Sequence, residues 1–346
     1  DRTLVMDAVR RALALVDRDG ILIQDFSYAA DWHPLTDGLG FSLVIVDEFG
    51  PLPAWSEKSG WRVSAARGGS PGVVDPLPNF SRVLVNEVLA RPVAPALDAV
   101  ELYNASANEV DLGGWFLTDD PATPKKYRIP DGTIISSNGF LTFDESQFNL
   151  PGSPTSFAFG AKGDQAFLYS GDAQTNLTGY SHGFAFGASA LGVSFGRHVT
   201  STGDEHFTPQ LALTLGASNA GPRVGPVVIN EIHYHPAGGE EFVELKNITA
   251  SPVKLYDPAR PWNTWRLAGL NYAFPTNVEI PAGGLLVLCA TNATAFRAAY
   301  QVPASVPVLG PTGGALQDSG EELELQRPDE APGTVVFLEV DKVRYN

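Results

Sequence analysis

The chain has 346 residues, enough for two or three domains, and 44% of them are hydrophobic, so each domain can fill a core. Only 18% are charged, a low share that suits secreted β-rich proteins. The formal net charge of −16 argues against nucleic acid or an anionic membrane surface as partner, and no apolar run is long enough for a membrane span.

The 35 glycines and 27 prolines are spread along the chain, as many turns require. The single cysteine, Cys289, lies in the apolar run LLVLCA; it has no internal disulfide partner and reads as an inert buried thiol. The sequence opens on Asp1 with no signal peptide, as a processed chain or a piece of a longer one would.

In chain order, residues 1–12 leave helix and strand open. Leu4, Val5, Ala8 and Val9 fall at helical spacing, yet the stretch is short and Val-rich. A strand from Leu13, the turn Asp17-Arg18-Asp19-Gly20 and a strand over Ile21–Tyr28 follow, then a strand over Phe41–Asp47 and two tryptophans, Trp55 and Trp61. Ser64–Asn79 is rich in Gly, Pro and Ser and reads as a domain exit and linker.

Residues 81–222 read as one complete unit. Short alternating strands (VLVNEV, AVELYN, GWFLTD, KKYRI, GFLTFD, AFLYS, GVSFGR) are punctuated by Gly, Asn and Asp, the pattern of an all-β sandwich. Asp144 is placed to cap a short helical turn through Phe148.

Residues 227–346 begin the same pattern again. Asn86-Glu87-Val88 recurs as Asn230-Glu231-Ile232, and Val100-Glu101-Leu102 as Val243-Glu244-Leu245. Thr291–Tyr300 reads as a helix capped by Asn292. The strand–turn–strand ending at Tyr28 matches those ending at Tyr180 and Tyr345, and Gly40-Phe41-Ser42-Leu43 matches Gly192-Val193-Ser194-Phe195. The expected order is therefore a C-terminal half-unit over 1–75, a whole unit over 81–222 and the N-terminal part of a further unit over 227–346.

The motif residues Val85-Asn86-Glu87, Val100-Glu101-Leu102-Tyr103-Asn104, Val110-Asp111-Leu112-Gly113-Gly114-Trp115 and Pro130-Asp131-Gly132-Thr133 together resemble the lamin tail domain. The last copy departs at the third motif: it reads Val253-Lys254-Leu255-Tyr256-Asp257, and a Trp returns only at 262 or 265, so an insertion is expected there. The resemblance implies tandem immunoglobulin-like β-sandwiches. In bacterial members such domains stand in series in large secreted or surface proteins, as binding or spacing modules. It implies an extracellular or cell-surface location and protein or glycan partners. The part-units at the two ends fit either an excerpt of a longer array or self-association in which the end halves complete one another.

Several chemistry-bearing residues are weighed against structural roles. Glu87, Glu101, Glu231 and Glu244 lie inside strands and recur beside structural residues, which favours hydrogen-bonded strand glutamates over paired acid–base carboxylates. Gly192-Val193-Ser194-Phe195-Gly196 spells G-x-S-x-G, but a nucleophile elbow needs a helix next, and Arg197-His198-Val199-Thr200 continues as strand. His198, Asp204, Glu205 and His206 form the candidate metal set of an alternative metal-dependent hydrolase. His233 and His235 share one face of a strand. No cofactor motif is present; Asp119-Asp120 and Glu240-Glu241 are acidic loop tips that leave Ca²⁺ open, as in a Ca²⁺-stabilised adhesion module. Five Asn-x-Ser/Thr sequons begin at Asn79, Asn104, Asn176, Asn247 and Asn292; those at Asn104 and Asn247 belong to the repeated motif.

Overall fold

A computed structural model describes residues 2–7, 12–77, 80, 82–201, 203–331 and 334–345. The chain opens with an antiparallel meander of β1 (Arg2–Asp7), β2 (Ala12–Asp17) and β3 (Leu22–Ser27). The open choice at the start resolves to strand: Leu4 stands opposite Leu15 in the β1–β2 register, and β-branched residues fit a paired, pleated surface. Residues 8–11 lie outside the described residues. Asp17 closes the β2–β3 turn by accepting the amides of Asp19 (2.9 Å) and Ile21 (2.8 Å).

A second hairpin follows, β4 (Leu43–Ile45) with β5 (Trp61–Val63). Phe26, Trp55 and Trp61 pack together with ring centroids 5.3–5.6 Å apart. The linker expected from Ser64 onward differs in its first part. Ser64 is fully buried and accepts the Ser42 amide through Oγ. Asp75 folds back to take Arg62 Nη1 at 2.5 Å and the Ala65 amide at 3.0 Å. Glycine and proline there serve an ordered return loop, because one buried carboxylate gathers its donors.

The middle stretch builds two packed sheets. One has order β12-β7-β6-β15-β16, from β6 (Val83–Leu89), β7 (Ala99–Asn104), β12 (Phe140–Asp144), β15 (Phe195–Val199) and β16 (Glu205–Pro209). The other has order β10-β9-β13-β14, from β9 (Phe116–Thr118), β10 (Tyr127–Arg128), β13 (Asp164–Gly171) and β14 (Leu177–Phe186). A small pair, β8 (Val110–Asp111) with β11 (Ile134–Ile135), closes one end. Between the sheets lies a core that includes Val85, Val100, Leu102, Leu112, Trp115 and Leu168. Apolar residues alternate inward from both sheets, as in a β-sandwich. The short helix α1 (Glu145–Phe148) carries the expected Asp144 cap, with Gln147 completing a capping box.

The last stretch repeats the arrangement. One sheet runs β17-β18-β25-β26, from β17 (Val227–His233), β18 (Phe242–Asn247), β25 (Leu285–Cys289) and β26 (Val308–Leu309). The other runs β23-β22-β27-β28, from β22 (Arg266–Ala268), β23 (Tyr272–Ala273), β27 (Glu321–Ala331) and β28 (Thr334–Tyr345). β19 (Val253–Lys254) pairs with β24 (Glu279–Ile280) as β8 pairs with β11. Here β17, β18 and β25 stand for β6, β7 and β12, and β27–β28 stand for β13–β14. The insertion is a hairpin of β20 (Tyr256–Asp257) and β21 (Arg260–Thr264). Trp265 fills the Trp115 position: its amide donates to Leu255 O at 2.9 Å, as Trp115 donates to Leu112 O at 3.0 Å. Trp262 stands on the inserted hairpin, 71% exposed. Helix α2 (Ala293–Tyr300) starts on Asn292, whose Oδ1 accepts the amides of Thr294 and Ala295. Cys289 is buried beside Phe296.

The two sandwiches differ at one sheet edge. In the middle one, β15 lies against the outer edge of β6. Among the described residues no strand pairs with the corresponding edge of β17.

Candidate functional site: a polar seam on the first strand of each sandwich

β6 carries a bulge: Val85 stands opposite Leu102, and Glu87 opposite Glu101, leaving Asn86 as the extra residue. A bulge re-aims side chains and frees a backbone donor. The freed Val85 amide donates to Nδ1 of His182, on β14 of the facing sheet, at 2.9 Å.

The bulge also brings Glu87 and Glu101 side by side, both with 0% exposure. Buried carboxylates are costly unless their lone pairs are filled. Glu87 accepts Ser194 Oγ at 2.5 Å, the Thr214 amide at 3.0 Å and Thr214 Oγ1 at 2.9 Å. Glu101 accepts Asn86 Nδ2 at 2.9 Å and the Gly216 amide. Asn219 Nδ2 ties the loop down by donating to Asn86 O (3.0 Å) and Arg197 O (2.8 Å). Residues 211–221, after β16, thus fold back as a strap of neutral donors over two acids. Burial, with the neighbouring Glu87 charge adding to it, pushes the Glu101 carboxyl above the usual glutamate range.

Ser194 is spent in this seam. It has 0% exposure, its hydroxyl is given to Glu87, and strand β15 follows it rather than a helix. The G-x-S-x-G spelling reflects packing instead: a Cβ added to Gly196 would lie 2.6 Å from Gln210 Cδ and 2.9 Å from Asn219 Nδ2.

His198, Asp204, Glu205 and His206 do not converge on one point. His198 and His206 are opposite each other on β15 and β16, while Glu205 stands opposite Val199 and turns inward. There it accepts Arg197 Nη2 at 2.6 Å and Nε at 3.0 Å, Arg82 Nη2 at 3.3 Å, and sits 3.1 Å from His182 Nε2. Since Val85 N–H occupies Nδ1, His182 carries its proton on Nε2 and donates it to Glu205. That hydrogen bond and the Arg197 guanidinium hold the Glu205 carboxyl down at about 2, while burial holds His182 below the usual histidine range. Among the described residues, no group of three or more His, Cys, Asp or Glu side chains is arranged to hold a metal ion.

The remaining candidates have local partners. Lys126 Nζ lies 2.5 Å from Asp119, Thr291 Oγ1 donates to Glu240, and the Leu316 amide donates to Glu241 at 2.9 Å. His233 Nδ1 is 3.0 Å from Glu240 O, and the exposed His235 is 3.0 Å from Asp318. Asn104 and Asn247 are each fully buried. Asn104 Nδ2 donates to the carbonyls of Asn108, Ile135 and Ser136, and Asn247 Nδ2 to those of Ser251, Ile280 and Pro281. The Asn79 sequon lies outside the described residues.

The last sandwich keeps the same seam half-built. β17 has its bulge between Ile229 and Glu231. The Ile229 amide donates to Asp341 on β28 at 2.7 Å, and Asn230 Nδ2 to Glu244 at 2.7 Å. Sequence reasoning missed the His182 and Asp341 positions, because they lie on strands far along the chain and differ in residue type. The strand-end tyrosines do not mark them: Tyr180 lies two residues before His182, and Tyr345 lies four residues after Asp341.

No curated protein and no solved structure matches the chain. The profile of the family described as Lamin Tail Domain matches residues 77–183, which span β6 through most of β14 and include the bulged seam strands. Residues 77–183 therefore carry a lamin tail domain, an immunoglobulin-like β-sandwich.

Proposed function

We propose that the chain is a non-catalytic structural and interaction protein of the cell exterior, built from lamin-tail-type sandwiches in series. One observation carries this reading: in the middle sandwich Glu87, Glu101, Ser194 and His182 are turned inward and make their hydrogen bonds within the sandwich. Glu87, Glu101 and Ser194 are closed to solvent, so no substrate reaches them. What the sandwiches offer outward is loops, strand edges and exposed aromatic residues such as Trp262. Protein or glycan partners held by such surfaces fit a matrix, adhesion or filament role. The low charged fraction and single buried cysteine fit an extracellular or surface location. Among the described residues no helix is long and apolar enough to cross a membrane.

The test pairs a hydrolase panel (ester, phosphoester and peptide substrates with Zn²⁺, Mn²⁺ or Ca²⁺) with binding to arrayed glycans and matrix proteins. The reading expects saturable binding, no turnover, and a melting temperature unmoved by chelator. Metal-dependent turnover that is lost in His206→Ala would contradict it. Surface proteolysis of intact source cells tests the location: cleavage of the chain supports it, and full protection opposes it.

A further inference from the structure

The hairpin of β27 and β28 is an arm that outruns its own sandwich. Its strands have 11 and 12 residues, where β13 and β14 have 8 and 10. The far part of the arm lies on the middle sandwich: Val336 and Leu338 pack against Ala188 and Ala190, and Asp329 pairs with Arg91 at 2.9 Å. Arg327 stands opposite Leu338, and Asp329 opposite Val336, so Arg327 shares the face of the arm that is turned to the middle sandwich.

A cavity of about 40 Å³ lies in this joint. Phe195 and Pro209 of the middle sandwich and Leu338 of the arm line it, together with two arginines, Arg223 and Arg327. Both sides are supplied by internal segments of the chain, 188–226 and 327–340. Arg327 is half-buried, and Arg223 is exposed, its backbone held by the amide donating to Pro209 O at 2.8 Å.

Among the described residues neither guanidinium has a hydrogen-bonding or ion-pair partner. The nearby acids are committed elsewhere: Asp329 to Arg91, while Glu339, which borders the cavity, lies 3.9 Å from Lys342. Burial, with the Arg223 charge adding to it and Asp329 only partly offsetting it, pulls Arg327 below the ordinary arginine range. Two like charges beside apolar walls are unfavourable until an anion is shared between them.

We propose that this cavity binds the carboxylate of an acidic sugar or a free organic acid, shared between Arg223 and Arg327. The space suits one small group, roughly three water volumes. The planar guanidinium fork matches the two oxygens of a carboxylate. The net charge of −16 opposes a polyanion. The inference deepens, and rests on, the reading of the chain as a non-catalytic binder of glycan or protein partners.

The experiment is calorimetric titration of the whole chain with glucuronate, acetate, glucose and sulfate at one ionic strength. Glucuronate and acetate should each bind one per chain, and glucose should not bind. Tighter binding of glucuronate assigns the carboxylate to a sugar; equal or tighter binding of acetate assigns it to a free acid. Arg327→Gln and Arg223→Gln should each weaken binding by about tenfold or more, with melting curves confirming that both fold. Arg327→Lys should recover only part of the loss, because an ammonium lacks the fork. Arg18→Gln, on the β2–β3 turn with its side chain 79% exposed, controls for lost charge and should change nothing. No binding of either carboxylate, sulfate bound more tightly than both, glucose bound as well as glucuronate, or an affinity unmoved in both Gln variants would each overturn the proposal. None of these touches the non-catalytic reading, which falls only on metal-dependent turnover.

Discussion

Ser194 and Glu87 are 107 residues apart and meet at 2.5 Å, each with 0% exposure. The contact pins the last pair of strands, β15 and β16, to the first strand of the sandwich. Removing one partner of a buried charged hydrogen bond leaves a poorly solvated acceptor. Ser194→Ala should lower stability by about 1–3 kcal/mol in urea unfolding. A loss below the error of the measurement would show that the seam is incidental.

Asn104 and Asn247 do the same work in the two sandwiches. Each side-chain amide bridges three carbonyls, and each Oδ1 accepts an amide and a hydroxyl two residues on. Truncation to Ala should cost about 3 kcal/mol or more at either site, since several buried backbone groups are orphaned at once. Asp should serve no better, because it cannot donate to the carbonyls. Mass spectrometry of the folded chain, expressed in a glycosylating host through its secretory route, should find both sequons unmodified.

The pH dependence has opposite signs at two carboxylates. Glu205 is held down at about 2, so its stabilisation is present above the ordinary glutamate range and is lost as pH falls toward 2. Glu205→Gln should cost up to about 3 kcal/mol at pH 7 and much less near pH 2. Asp98 is pushed up to about 6 by burial and by the nearby Glu145 charge. The native state keeps that proton longer than the unfolded chain, so stability at this site declines as pH rises from about 4 to 6. Asp98→Asn should therefore stabilise the chain at pH 7, by roughly 2 kcal/mol, with little gain at pH 3.5. Denaturant melts at the two pH values measure both.

Trp262 and Trp265 are three residues apart and should behave oppositely. Trp265 is 5% exposed in the core, and Trp262 is 71% exposed. Trp265→Ala should cost about 3–5 kcal/mol. Trp262→Ala should fall within about 0.5 kcal/mol of wild type and reduce partner binding if the inserted hairpin is a contact surface.

The elements with strong local signals were legible in the sequence. The repeated Asn-Glu and Val-Glu-Leu strands, the Asp144 and Asn292 caps and the insertion before Trp265 all rest on contacts within a few residues or on self-similarity. The first β-strand was not legible, because four apolar positions fit two periods and only pairing with β2 decides between them. The four metal candidates do not meet for a geometric reason: adjacency along a strand sends Glu205 and His206 to opposite faces. The His182–Glu205–Arg197 cluster and the strap over Glu87 join residues from distant strands, and no local pattern announces them.

The central claim is that β6 and β17 are the same bulged strand, sealed in one sandwich and, among the described residues, unpaired on its outer edge in the other. Residue-resolved amide hydrogen exchange on the dilute, monomeric chain tests it most directly. The account predicts slow exchange for Thr214, Gly216 and the β6 amides, with fast exchange at Asn230 and Glu231. Equal protection of β6 and β17 at high dilution would contradict it.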